Sequence, residues 1–143
     1  NGSICINGVD SENLLHTPLV DKYASPVSSD PRLRELVTNL VRKIAGNMNI
    51  VTEGRDTTTV IFPNADYKFY FDASVEERAK RRVEEQKGVT YEEVLASIKK
   101  RDKNDMEKEV GALKKAKNAI YIDTTNLTID AVCEKVLFAM QKH

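Results

Sequence analysis

Three short apolar runs separated by helical patterns constrain this chain more than any other feature. Ile50-Val51 sits in the run 49–52, Tyr67 to Phe71 is the second run, and Ala119 to Asp123 is the third. Strands that are apolar almost throughout, alternating with helices, belong to parallel sheets covered on both faces. The spacing predicts an α/β fold: a three-layer parallel sheet with helices on both faces and right-handed crossovers. The first two runs bracket a loop that begins Gly54-Arg55-Asp56. In open α/β sheets ligands sit just past the carboxyl ends of the strands. Adjacent opposite charges at such a place are costly to bury unless something binds there, which makes Arg55 and Asp56 candidate ligand contacts.

The remaining elements announce themselves by their ends. Ser3 to Ile6 reads as a short strand, and Asn7-Gly8 as a tight hairpin turn. Thr17-Pro18 is a cap followed by proline, opening a short helix through Leu19, Val20 and Tyr23 that Pro26 stops. Asp30-Pro31 repeats the signal before a longer helix with apolar Leu33, Leu36, Val37, Leu40, Val41, Ile44 and Met48, ended by Gly46-Asn47. A charged helix follows Ser74 and breaks at Gly88. Thr90 and Glu93 stand at capping-box spacing before a helix reaching about Glu109. Asn126 or Thr128 caps a last helix, expected to turn Ile129, Val132, Val136, Leu137 and Met140 inward. There are no internal repeats and no low-complexity linker.

Composition removes several function classes. The 143 residues suit one domain, and 22 basic against 22 acidic side chains give a formal net charge of zero. Binding to bulk nucleic acid or anionic lipid needs a basic excess, so any anion site must be local. Cys5 and Cys133 form no disulfide framework and no metal spacing, and reduced thiols in a cytoplasmic protein are expected. The start shows no signal peptide, and no apolar run approaches the ~18 residues of a membrane span. The chain opens on Asn1 rather than methionine, which suggests a segment cut off, processed away or left out. His16 and His143 assemble no catalytic triad and no metal centre.

The helix from Thr90 to Glu109 carries the most informative pattern. Its stripe begins Val94, Leu95, Ile98 and continues at helical spacing through Arg101, Asp105 and Lys108. Either the helix leaves the core after Ile98 and Arg101–Asp105 is a solvated pair, or an ionic face points at a ligand. The second cluster at Arg55-Asp56 favours the ligand. Guanidiniums take phosphate in bidentate fashion, and carboxylates take ribose hydroxyls or base amino groups. Arg78, Lys80, Arg81 and Arg82 stand among glutamates, as on a solvated helix or as on a basic lid over phosphates. Arg32 and Arg34 oppose the dipole at a helix start, so they are surface charge or reach a ligand together with Ser25.

These blocks together resemble the bacterial cytidylate kinase family of nucleoside monophosphate kinases. The likeness rests on TPLVDKYASPVSSDPRLRE, EGRDTTTVIFPNADYKFYFDAS with EERAKRR, IKKRDKNDMEK and AIYIDTTNLTIDAV, in family order across essentially the whole chain. The resemblance implies a P-loop kinase fold and transfer of the ATP γ-phosphate to CMP or dCMP, with Mg²⁺ bound through the nucleotide phosphates and no protein-ligated metal. It implies Ser25, Arg34 and Asp56 as cytosine readers, Arg55 and Arg101 as acceptor-phosphate ligands, and Asp105 as ribose-hydroxyl acceptor. Lys108 stands where the family has an arginine, keeping the charge and losing the planar fork. Arg78, Arg81 and Arg82 resemble catalytic lid arginines that neutralise the transferring phosphate.

The resemblance also implies an organisation. Residues 1–48 would be the remainder of the nucleoside-monophosphate-binding region, and 49–143 the C-terminal part of the kinase core, with the lid at about 78–90. No G-x-x-x-x-G-K followed by Ser or Thr occurs, although the family carries that loop on its first strand, N-terminal to the point where this chain begins. The missing first strand would lie centrally, between 49–52 and 67–71. Without it the chain is expected to be poorly stable, to close the gap, or to be repaired by its own N-terminal segment or a second copy. The parent enzyme is expected to be a monomer that meets neither nucleic acid nor membrane. The alternatives are a catalytically inactive nucleotide-binding module and a structural fragment of such a kinase.

Overall fold

The structure, a computed structural model, describes residues 4–15, 17, 19–20, 23, 27–46, 48–85 and 88–142. The expectations for Ser25, His16 and His143 fall outside the described residues. The chain divides into two compact units, Asn1–Asn49 and Ile50–His143.

In the first unit, β1 (Cys5–Ile6) and β2 (Val9–Asp10) pair antiparallel, Ile6 opposite Val9. Asn7 and Gly8 both take positive φ, at 52° and 80°, as a two-residue hairpin demands. Thr17 accepts a hydrogen bond from Val20 N at 3.4 Å, and Leu19, Val20 and Tyr23 are helical. Helix α1 (Pro31–Ala45) begins where the Asp30 carboxylate accepts from Arg32 N at 2.8 Å and Leu33 N at 3.4 Å. Those backbone donors, Arg32 N first, hold the Asp30 carboxyl below its ordinary pKa. Gly46, at φ 44°, ends the helix. The apolar stripe of α1 is exposed at Leu33, Leu36, Val37, Leu40 and Ile44.

The second unit corrects the sequence reading at its start. Residues 49–52 form no strand, and Val51 is fully exposed. A strand exists as one side of a hydrogen-bonded ladder, and among the described residues nothing pairs with this run. A π-helical turn, Thr57–Ile61, follows, in which Asp56 O accepts from the backbone N of Thr59, Val60 and Ile61. Then β3 (Phe69–Asp72) pairs in parallel with β4 (Ile120–Asp123), Tyr70 opposite Tyr121. Parallel pairing among the described residues is therefore confined to two strands, and β3 starts two residues later than its apolar run. Tyr121 Oη donates to Asp72 Oδ2 across the pair at 2.9 Å, and the two tyrosine rings stack.

Helices α2 (Val75–Glu85), α3 (Tyr91–Glu107) and α4 (Ile129–Gln141) complete the unit. Ser74 Oγ accepts from Glu77 N to start α2, Thr90 and Glu93 close the capping box of α3, and Thr128, not Asn126, caps α4. Packing of α2 on α3 buries Ala79 and Val94, while α4 lies against β4. The inward face expected of α4 is a second correction: Ile129 is 83% exposed and Leu137 60%. Two strands offer too little sheet to cover a helical stripe. The result is a mixed α/β chain whose buried apolar side chains among the described residues are mainly alanines, with Val94 and Ile122.

Candidate functional site

The GRD loop and the end of α3 converge on one carboxylate. Asp105, its side chain 7% exposed, accepts from Lys108 Nζ at 2.8 Å through Oδ1. Arg55 Nε stands 2.9 Å from Oδ2, and Arg101 Nε 3.8 Å from it. Burial pushes the Asp105 carboxyl up. The Lys108 hydrogen bond and the charges of Arg55, Lys108 and Arg101 outweigh that, and the net pKa lies below the ordinary value. Arg55 approaches without hydrogen-bond geometry, so Oδ2 has no hydrogen-bond donor among the described residues. Three cations around one carboxylate leave a positively charged corner that can take an anion, with an acceptor oxygen held inside it.

The start of the loop is as tightly built. Asp56 and Thr57 are buried, and the Thr57 hydroxyl also lacks a hydrogen-bond partner among the described residues. A Cβ at position 54 would stand 2.5 Å from Thr57 Oγ1, so any larger residue there would have to displace the Thr57 side chain. Arg34 belongs to the first unit, where its Nη1 donates to Ser28 O at 3.2 Å.

The α2 arginines are engaged to different degrees. Arg78 meets Asp102 in a bidentate pair and also donates to Ala73 O. Arg81 donates to Thr124 O at 2.6 Å, just past β4, and pairs with Glu77. Arg82, its side chain 54% exposed, pairs with Glu85. Among the described residues no cluster of His, Cys, Asp and Glu could hold a metal ion, and no helix is long and apolar enough to cross a membrane.

Sequence reasoning singled out Arg55, Asp56, Arg101, Asp105 and Lys108, and the fold brings Arg55, Arg101 and Lys108 together around Asp105. It passed over Asp102, although Val94, Ile98, Asp102 and Asp105 follow one another at helical spacing and would have exposed it. No local signal marked Thr57.

Fold and corner together define a mixed α/β chain with a cation-rich site around Asp105. The family model described as cytidylate kinase matches residues 1–142, and the chain belongs to that family. It is 48% identical over 141 residues to the cytidylate kinase of Thermosipho melanesiensis, covering 96% of this chain and 65% of that protein. It is 44% identical to that of Fervidobacterium nodosum, covering 92% and 62%, and 42% to that of Caldanaerobacter subterraneus subsp. tengcongensis, covering 98% and 64%. The chain thus spans just under two thirds of the length of these curated relatives.

Proposed function

We propose that this chain supplies the acceptor-nucleotide site and lid of a kinase that converts ATP and CMP or dCMP to ADP and CDP or dCDP. The observation that carries the reading is the convergence of Arg55, Arg101 and Lys108 on buried Asp105. In this reading Arg55 and Arg101 take the acceptor phosphate, and Lys108 adds charge. Asp105 Oδ2, lacking a donor, takes a ribose hydroxyl. Asp56, with Arg34 and Ser25, reads cytosine. Arg78, Arg81 and Arg82 form the basic side of the lid on α2. The complete enzyme is a monomeric, cytoplasmic P-loop kinase with a three-layer sheet, its first strand lying centrally.

Bound ATP would supply the phosphoryl group, and Mg²⁺ bound with it would neutralise phosphate charge. These 143 residues hold no P-loop sequence, so turnover requires that loop in addition. A second reading is a nucleotide-binding module without chemistry. Calorimetric titration of the full-length protein with CMP, paired with an ATP-turnover assay on the same protein, separates the two: binding with turnover supports the kinase, and binding alone supports the module. Asp56→Ala is expected to erase the preference for CMP over UMP and AMP. An unchanged preference removes Asp56 from base reading.

A further inference from the structure

Arg78 is held by three hydrogen bonds from one guanidinium. Its Nη1 and Nη2 donate to Asp102 Oδ1 and Oδ2 at 3.0 and 2.7 Å, and its Nε donates to Ala73 O at 3.1 Å. The fork ties α2 to α3, and the third bond ties both to the segment just past β3. Arg81 secures the same helix to Thr124 O past β4. Bidentate, charge-assisted bonds are the strong ones, and a guanidinium turning toward a phosphate would surrender all three. Asp102 lies on α3 beside Arg101 and within one turn of Asp105.

We infer that Asp102 is a positioning residue and Arg78 its clamp: together they fix α3 against the ends of the strands so that Arg101 and Asp105 stand at the acceptor corner. This rests on the acceptor-site reading above. Arg78 then does not bind phosphate.

The test measures affinity for CMP and for cytidine, which has no phosphate, in the full-length protein. Asp102→Asn is expected to weaken CMP binding about tenfold. Arg78→Lys, which keeps the charge and breaks the fork, does the same. The double variant is no worse than either single one, because both remove one clamp. Cytidine binding weakens as well, since Asp105 is displaced. Three results overturn the inference: affinities unchanged in both variants while only the melting temperature falls; Arg78→Lys weakening CMP but not cytidine; or Asp102→Asn tightening CMP by releasing Arg78. Should Asp102→Asn fail to fold, Arg78→Lys decides on the same two ligands. Arg55→Ala separates the two levels. If it loses CMP while both clamp variants bind normally, the clamp alone is wrong; if it binds CMP like the wild type, or the wild type binds none, the acceptor-site reading and the clamp fall together.

Discussion

Helix α1 begins with Asp30 taking two backbone N–H groups, and α3 begins with Thr90 and Glu93 closing a reciprocal box. Both are firmly started, yet they treat their stripes in opposite ways. On α1 the apolar side is outside, with Leu36 65% exposed. On α3 Val94 is buried at 7%, and farther along the helix a carboxylate, Asp105, is buried at 5%. An exposed apolar stripe and a buried charge are the two departures from ordinary burial that carry information. Local chemistry decides where a helix starts, whereas the partners that reach a helix decide what it hides. Asp105 can be hidden because three cations reach it, and the α1 stripe stays outside because no described element of its unit covers it.

The contrast can be broken at its strongest point first. Asp105→Ala should lower unfolding free energy by roughly 2 kcal/mol in urea titrations, less than for a fully buried pair because Arg55 and Lys108 keep some solvent. A loss below about 0.5 kcal/mol, typical of surface sites, would make the corner as solvated as α1. The Asp105 carboxyl titrates below its ordinary value, so its contribution is complete above about pH 3.9 and disappears as pH falls through the depressed pKa. The gap between wild type and Asp105→Asn should accordingly shrink in acid; a gap that widens there would reverse the assignment. Val94→Ala comes next, at about 1.5 kcal/mol for two buried methyls, read from the same titrations. Thr90→Ala should cost about 1 kcal/mol by removing a cap, with matching loss of helical circular dichroism on heating. Leu36→Ala is the smallest, under about 0.5 kcal/mol at an exposed site. A larger loss there would show the α1 stripe to be covered in solution and would remove the contrast.

What the sequence makes legible follows the same division. The caps at Asp30 and Thr90 and the Asn7-Gly8 turn act within a few residues, so local spacing discloses them, whereas for the last helix it leaves Asn126 and Thr128 open. The ionic stripe of α3 is also visible, because Arg101, Asp105 and Lys108 share one helix. Burial is not local, and there the reading fails. Ile50 and Val51 have the composition of a strand but no ladder beside them, and Ile129 and Leu137 have the period of a core face without enough sheet to cover them. Arg78 and Asp102 belong to different helices, so their pairing depends on how α2 lies on α3, which neither segment encodes alone. Asp105 was a candidate by its stripe, and its convergence with Arg55 needed the fold.

The chain holds five tyrosines and no tryptophan, so tyrosine is its intrinsic fluorophore. Tyr121 gives its phenolic proton as a hydrogen bond to the Asp72 carboxylate on the neighbouring strand, and that bond raises its pKa. A carboxylate so placed quenches tyrosine emission. Separation of β3 from β4 should therefore brighten tyrosine emission and would give an optical signal for opening of the strand pair without any attached dye.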